Sequence, residues 1–319
     1  MVKTRLGPRS DSRHGLAGPR PRGLWSRAKR GLRDWPTIAV FLTPALLGLG
    51  LFHFLPILTA LRGSLFNLNL LVPDRETFVG LDNFRAIVSD EDFRQSLANT
   101  FVYTVTKLVI QLPISFGLAL LIETRLRGTT FLRSAIFAPS VTAVAIAAVI
   151  WGLMYQPHAG LINSVLAAAG IEPQSFLTSK QQALPSIIAL GIWQDTGLTV
   201  LILWGGLQGI PRDFYEAAKL DGASGSQAVR YLTLPLLRRT ILFAVVLTTL
   251  LAFKVFAEVK ILTEGGPENS TLMTVYYIYK KAFVFLDLGY AFALAVVLMA
   301  ILVVIALLQG RLLQSRLEY

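Results

Sequence analysis

The chain contains no cysteine, which excludes disulfides, iron–sulfur clusters and zinc sites with cysteine ligands. Its three histidines, His14, His53 and His158, are far apart and do not have the spacing of metal ligands. No Gly-x-x-x-x-Gly-Lys-Ser/Thr segment occurs, so a phosphate-binding loop of that type is absent. No motif assembles a Ser/His/Asp set or a pair of catalytic carboxylates. We therefore expect that the chain is not an enzyme and holds no cofactor.

Charged residues are scarce as well. They make up 15% of the chain, whereas a soluble domain carries roughly a quarter. The apolar residues occur in runs of about 20 or more, long enough to cross a hydrocarbon core of ~30 Å. The runs lack barrel-like alternation, and backbone groups in lipid must be satisfied within the segment. We expect an all-α integral membrane protein with six transmembrane helices, at about 37–61, 97–122, 134–155, 184–208, 240–262 and 284–308.

The net charge of +11 is distributed unevenly. Ten of the 30 basic residues precede Trp35, and 20 lie in this tail, the 123–133 and 209–239 loops and the C-terminus. The alternate loops (62–96, 156–182 and 262–283) hold seven. This asymmetry follows the positive-inside rule, so both termini are expected in the cytoplasm. The first apolar run is too long for a signal peptide, and the basic tail is expected to be disordered or to lie on the membrane.

A polar segment between the fourth and fifth spans has the pattern of two short helices. Pro211 suits a first helical turn, and Gly222 is well placed to end that helix in the left-handed conformation. Ser224 and Gln227 have the spacing of a capping box, which predicts the start of a second helix. The segment should therefore form a compact cytoplasmic knob, bent at Gly222.

This segment resembles the EAA loop of permease subunits in binding-protein-dependent ABC importers. That loop reads Glu-Ala-Ala, three residues, Gly, nine residues, then Ile/Leu-x-Leu-Pro. It is matched here by Glu216-Ala217-Ala218, Gly222 and Leu232-Thr233-Leu234-Pro235. Two departures are Arg239, where the family usually has proline, and Val229, near which it has an aromatic residue.

The resemblance covers about 42–308. Further landmarks are similar to the first permease of maltose, glycerol-3-phosphate and lactose importers: Phe78–Phe84, Gly160–Asn163, Thr263–Pro267 and Gly289–Ala291. The resemblance implies a type I ABC importer (MetI-like) permease fold. Its implied organisation is a cytoplasmic tail (1–35), a first helix with an external loop (36–94), a permease core (95–310) containing the loop (209–238), and a second tail (311–319).

The resemblance also implies partners and a site. The partners are a second homologous permease, two ATPase subunits that bind ATP and Mg, and an extracytoplasmic solute-binding protein. The solute is a carbohydrate or glycerophosphate-like molecule carried across the plasma membrane. The residues expected to contact the ATPase are Glu216, Ala217, Ala218, Asp221, Gly222, Leu234 and Pro235.

Ionisable residues also fall within the predicted spans. Lys107, Asp195 and Lys254 lie near the middle of spans two, four and five, where a lone charge costs at least about 2.5–3.5 kcal/mol. Asn99, Tyr103, Lys107 and Gln111 form one polar stripe at four-residue spacing, and Lys254 and Glu258 have the spacing of a pair. With aromatic residues such as Trp193, this set indicates either a solute pathway or polar contacts between helices.

A solute pathway with two lysines against one carboxylate would favour a solute rich in acceptor oxygens. An alternative function remains open at this point. Lys107, Asp195 and Lys254 are also the residues that an ion- or proton-coupled secondary transporter would use as a relay. A purely structural membrane protein would not need charges at the midplane.

The predicted topology can be tested directly because the chain is free of cysteine. Single cysteines introduced at 62–96 and 156–182 should react with a membrane-impermeant maleimide in intact cells. A cysteine at position 225 should react only after the cells are opened. External labelling of Gly225→Cys would contradict the orientation and the proposed position of the knob.

Overall fold

The structure is a computed structural model that describes residues 39–69, 76–124 and 128–313. The predicted basic tail, 1–35, and most of the tail at 311–319 lie outside the described residues. The chain divides into two compact units, 1–58 and 59–319. The first unit contains most of helix α1 (Ala39–Gly63), whose apolar side chains are exposed and which has a π-helical turn at Gly50–Phe54.

The second unit consists mainly of helices. A short antiparallel pair of strands, β1 (Phe66–Asn67) and β2 (Thr77–Phe78), follows α1. The helices up to the knob are α2 (Asp82–Ser89), α3 (Glu91–Glu123), α4 (Thr129–Val141), α5 (Val144–Met154), α6 (Leu161–Ala168) and α7 (Ala183–Gln208). Those that follow are α8 (Arg212–Leu220), α9 (Gly225–Ala228), α10 (Leu234–Leu236), α11 (Arg238–Phe253), α12 (Ala257–Leu262), α13 (Thr274–Tyr279) and α14 (Leu288–Leu313).

Three segments in the described part of the second unit have other helical geometry. A 3-10 turn covers Phe176–Thr178, and π-helical turns cover Val229–Thr233 and Lys280–Val284. The π-helical turn at Val229–Thr233 joins α9 to α10. The turn at Lys280–Val284 follows α13 and precedes α14.

Five helical segments of the described residues are long and apolar enough to cross a membrane. They are Ala39–Gly63, Glu91–Glu123, Ala183–Gln208, Arg238–Leu262 and Leu288–Arg311, and they correspond to five of the six predicted spans. The fold class predicted from the sequence, an all-α membrane protein, is confirmed.

The third predicted span, 134–155, is not one straight helix. Helices α4 and α5 are bent by 100° relative to each other at a break between Val141 and Val144. Together they form one broken span or a re-entrant loop. Thr142 is extended (φ −77°, ψ 134°), and its carbonyl oxygen accepts a hydrogen bond of 2.8 Å from Gln194 Nε2. Ser140 Oγ also donates to the carbonyl of Gln194 at 2.7 Å.

These two bonds to α7 satisfy polar groups at the break. That is the condition under which non-helical backbone is stable at membrane depth. Gly197 permits the close approach, because a Cβ at this position would overlap the carbonyl of Ile136 and the hydroxyl of Ser140.

The core of the second unit lies along α3 and α7. One hydrophobic cluster joins these helices to the 252–294 region through Tyr103, Ile187 and Met273. A second cluster joins their other ends to α11 and the knob through Ile122, Leu203 and Leu237. The two long helices therefore connect the loop regions at both ends of the bundle.

Asp90 ties the start of α3 to the last two helices. Its Oδ2 accepts hydrogen bonds from the hydroxyls of Tyr277 (2.6 Å) and Tyr290 (2.5 Å), and its Oδ1 caps α3 by accepting from the Phe93 amide (3.0 Å). Burial alone would raise the pKa of Asp90. The hydrogen bonds and the nearby Lys281 charge outweigh burial and hold this pKa below its usual value.

We predict that Asp90→Asn destabilises the protein, because an amide NH2 replaces one acceptor oxygen. Hydrogen bonds to a charged group contribute about 1.5–3 kcal/mol, and a loss of that order is expected at pH 7. Since the folded-state pKa is depressed, the stabilisation is present above the unfolded pKa of about 3.9 and is lost as pH falls below it.

Thermal unfolding in detergent measures this effect, and the difference between the wild type and the variant should shrink as pH falls below about 3.9. Asp82→Asn is the matched control, because its ion pair with Arg85 is exposed and is worth at most about 1 kcal/mol. Equal midpoints for Asp90→Asn and the wild type at pH 7 would disprove the role of this contact.

Candidate functional site

The knob between α7 and α11 begins with α8, which ends in a Schellman motif. The Ala223 amide donates to the carbonyl of Ala218 (2.9 Å), and the Gly222 amide donates to that of Lys219 (3.0 Å). Gly222 has φ +76°, the left-handed conformation that this motif requires. The predicted helix end at Gly222 is confirmed.

The second helix of the knob begins where the sequence predicts it. Ser224 and Gln227 form a complete capping box at the start of α9. The hydroxyls of Tyr215 and Thr233 hydrogen-bond at 3.0 Å, which holds α8 against the π-helical turn. The knob is therefore a fixed pair of helical segments, and its bend depends on one glycine.

The surface of the knob is exposed and partly apolar. The predicted coupling residues Glu216, Ala217, Asp221, Gly222, Leu234 and Pro235 are exposed, and Ala218 is partly exposed. Three large apolar side chains that the motif does not single out are also exposed: Phe214 (50%), Leu220 (90%) and Tyr231 (70%). In the sequence, the signal for these three residues is that they are large and apolar and yet lie in a loop outside the spans. Large exposed apolar side chains are typical of a protein interface where they form a patch.

Lys107 of α3 and Asp195 of α7 form an ion pair inside the bundle. The Lys107 Nζ lies 2.6 Å from Asp195 Oδ2, and the lysine side chain is 2% exposed while the aspartate side chain is 32% exposed. The Tyr103 hydroxyl lies 3.5 Å from the same Nζ. Gly191 makes room for this contact, because a Cβ there would overlap the Tyr103 hydroxyl.

The remaining polar residues of the stripe also bond within the chain. Asn99 Nδ2 donates to the carbonyls of Asn269 (2.9 Å) and Leu272 (3.1 Å). Gln111 Nε2 donates to Thr199 Oγ1 at 2.7 Å. All four stripe residues are buried, so the structure places them between helices, as the interhelical alternative expects. Their predicted role in a solute pathway stays a prediction.

The pairing of Lys254 with Glu258 that their spacing left open does not occur among the ion pairs of the described residues. Helix α11 ends at Phe253 and α12 begins at Ala257, so residues 254 and 258 do not share a helical face. Lys254 lines a separate apolar groove. The predicted positive excess at the midplane stays a prediction.

The carboxyl-terminal part of the chain, residues 133–319, matches the family described as "Binding-protein-dependent transport system inner membrane component". The chain belongs to this family. It is a multi-pass membrane component of a transport system, and the resemblance read from the EAA loop is confirmed.

Two relatives and one solved structure illustrate the similarity. The chain is 35% identical to the sn-glycerol-3-phosphate transport system permease protein UgpA of Agrobacterium fabrum, over 76% of this chain and 83% of the relative. It is 28% identical to the arabinooligosaccharides transport system permease protein AraP of Bacillus subtilis, over 86% of this chain and 87% of the relative. The fold matches a chain of the bacterial alginate ABC transporter, in complex with an alginate pentasaccharide-bound periplasmic protein. That match has a TM-score of 0.77 and 22% identity, and covers 90% of this chain and 96% of the other.

In this permease a cavity of about 740 Å³ lies between α3, α4 and α7. Its lining is mostly aliphatic and includes Trp193, Thr196 and Pro139. Trp193 is 40% exposed, and its ring lies 5.5 Å from that of Trp151. Of the predicted pathway residues that the structure describes, Trp193 lines this cavity, and the stripe of α3 lies on another face.

We predict that Lys107→Met reduces the yield and thermal stability of the permease, because it leaves Asp195 without its counter-charge. Removing one partner of a buried pair costs about 3–5 kcal/mol, whereas replacing both is often neutral. The double variant Lys107→Met/Asp195→Leu should therefore recover most of the lost stability.

The same variants separate the two interpretations of the stripe. If the pair only joins α3 to α7, transport per assembled complex in the double variant should equal that of the wild type. If the stripe binds solute, stability returns but transport does not. A single variant as stable as the wild type would show that the pair contributes nothing to folding.

Proposed function

We propose that the chain is a permease subunit of an ATP-driven importer of a carbohydrate or glycerophosphate-like solute. The observation that carries the proposal is the knob of α8 and α9. It combines the full EAA spacing with the bend at Gly222 and an exposed apolar surface. The relatives transport sn-glycerol-3-phosphate and arabinooligosaccharides, which supports a polyhydroxylated solute.

The knob serves as the contact with the ATPase. Leu220 and Phe214 supply apolar area that an ATPase cleft would bury, and Glu216 supplies a charge beside them. Because the Schellman motif and the Tyr215–Thr233 bond hold the helices in one arrangement, a push on the knob passes to α7 and α11 as a rigid movement. This role assigns ATP and Mg to the partner subunit.

The assembly comprises a second, homologous permease, two ATPase subunits and an extracytoplasmic solute-binding protein. Both termini and the knob lie in the cytoplasm, as the basic loops favour. The boundaries 1–35, 36–94, 95–310 and 311–319 remain the predicted organisation.

The secondary-transporter alternative loses support from the charged cluster. Its relay required Lys107, Asp195 and Lys254 to lie along one path. Lys107 and Asp195 neutralise each other, and Lys254 lines another groove.

A matched pair of variants at Gly222 tests the coupling role. A Cβ at this position would meet no other atom within 4 Å, so the effect of a substitution comes from the backbone conformation alone. Gly222→Val places a β-branched residue at positive φ, whereas asparagine tolerates the left-handed region. The strain expected for Gly222→Val is about 1–2 kcal/mol. We therefore expect this variant to reduce transport and ATPase association at least fivefold. We expect Gly222→Asn to retain most of both.

Association is measured by co-purification of the ATPase with the tagged permease, and transport by uptake into proteoliposomes. The amount of permease in the membrane is measured alongside, so that loss of folding is not taken for loss of coupling. Full transport and normal ATPase association in Gly222→Val would refute the proposed contact.

A further inference from the structure

Two cavities adjoin each other along α3 and α7. The first is the aliphatic cavity between α3, α4 and α7, which on α3 is lined at four-residue spacing by Val102, Thr106, Ile110, Ile114 and Leu118. The second is a polar cavity of about 600 Å³ near the starts of α3 and α7. Leu184 and Pro185 line both, so the polar cavity lies directly beyond one end of the aliphatic cavity.

The two cavities follow the change from polar to apolar residues along α3. The polar cavity is lined on this helix by Glu91, Asp92, Gln95 and Asn99. The aliphatic cavity begins at Val102, and α3 rises about 24 Å from there to Leu118, at 1.5 Å per residue. One leaflet contributes about 15 Å of a hydrocarbon core of ~30 Å. The aliphatic cavity is therefore long enough for an acyl chain, and the polar cavity lies at the level of a headgroup.

A carbohydrate does not suit the aliphatic cavity. Among the described residues of its lining, the polar side chains are Thr106, Thr196 and Trp193. The Thr196 hydroxyl already donates to the Ile192 carbonyl at 2.6 Å. A polyhydroxylated solute would leave most of its hydroxyls without partners here, which is unfavourable. An alkyl chain has no polar groups to satisfy and is stabilised by burial against aliphatic side chains.

The polar cavity has an excess of negative charge. Its described lining contains three carboxylates, Glu91, Asp92 and Glu268, and one cation, Lys180. Lys180 Nζ lies 2.9 Å from Glu268 Oε2, and Asp92 Oδ1 accepts a hydrogen bond of 3.0 Å from Asn269 Nδ2. The Lys180–Glu268 pair leaves two carboxylates of the lining in excess, which favours a ligand that carries an ammonium group.

A buried hydroxyl also lines the polar cavity. Ser270 Oγ is buried, and no group among the described residues forms a hydrogen bond with it. Buried polar groups in proteins are nearly always hydrogen-bonded. A ligand with phosphate or ester oxygens would supply an acceptor for this hydroxyl.

We propose that the two cavities together bind one phospholipid whose headgroup carries a primary ammonium group, as in phosphatidylethanolamine. An acyl chain occupies the aliphatic cavity and contacts Trp193. The phosphate lies near Ser270 and Lys180, and the ammonium group pairs with Glu91 and Asp92. The predicted orientation of the chain places this lipid in the outer leaflet.

Lipid retention tests the headgroup preference in the transporter, purified through a tag on this chain from vesicles with equal amounts of phosphatidylethanolamine and phosphatidylglycerol. Native mass spectrometry should show phosphatidylethanolamine enriched at least threefold over phosphatidylglycerol. Asp92→Asn should at least halve this enrichment, because the amide is neutral while its oxygen can still accept from Asn269. Glu172→Gln is the matched control, since Glu172 is exposed and lies outside the lining, and it should leave the enrichment unchanged.

A second pair of variants tests the acyl-chain site. Ala189 is exposed and lines the aliphatic cavity, so Ala189→Phe places a ring in the space of the chain. The retained phospholipid should fall at least fivefold. Leu201→Phe is the control, since Leu201 is an exposed apolar residue of the same helix outside this lining. Thermal unfolding of each variant is measured alongside, so that misfolding is not taken for loss of the lipid.

Cross-linking identifies the occupant directly. In this cysteine-free chain, Ala189→Cys carries a benzophenone attached through a maleimide, and the expected adduct is a phospholipid. An adduct only with the companion permease or with a second copy of this chain would overturn the inference. Equal retention of the two lipids by the wild type, or unchanged retention in Ala189→Phe, would do the same. These readouts do not depend on transport, so their failure leaves the proposed function intact, whereas absence of the ATPase from the wild-type preparation would count against that function alone.

Discussion

The packing of α3 against α7 is the contact on which the membrane core depends. Lys107 and Asp195 are 88 residues apart in the chain, and their pairing places a charge inside the bundle without an isolated ion. Gln111 and Thr199 form a hydrogen bond between the same two helices. Since the interior of a bilayer offers no water to replace these bonds, the two helices are constrained to one register. The broken α4–α5 span then packs on α7 through Gln194, so it depends on the same helix.

The two ends of the bundle differ in whether their side chains find partners within the chain. At one end, Asp90 accepts hydrogen bonds from two tyrosine hydroxyls and also caps α3. Asn99 donates to the carbonyls of residues 269 and 272. These contacts satisfy polar groups within the chain. At the other end, the knob leaves Leu220 and Tyr231 exposed. The first arrangement stabilises the subunit, whereas the second leaves large apolar side chains exposed.

The charged residues within the spans divide in a similar way. Lys107 and Asp195 complete each other inside the subunit, and Glu258 lies near them. Lys254 contributes to the lining of a separate, mostly aliphatic groove, and none of the ion pairs among the described residues includes it.

Properties that depend on neighbouring residues could be predicted from the sequence alone. The length of apolar runs locates five of the six spans, and the spacing from Glu216 to Pro235, with Ser224 and Gln227, predicts the two-part knob and its bend at Gly222. The tertiary structure decided three other features: the break at Thr142, the burial of the stripe from Asn99 to Gln111, and the separation of Lys254 from Glu258. Each depends on which helical faces meet across long separations in the chain. A run of apolar residues has the same sequence pattern whether its helix is continuous or broken. A four-residue spacing of polar residues has the same pattern whether that face of the helix meets a cavity or another helix.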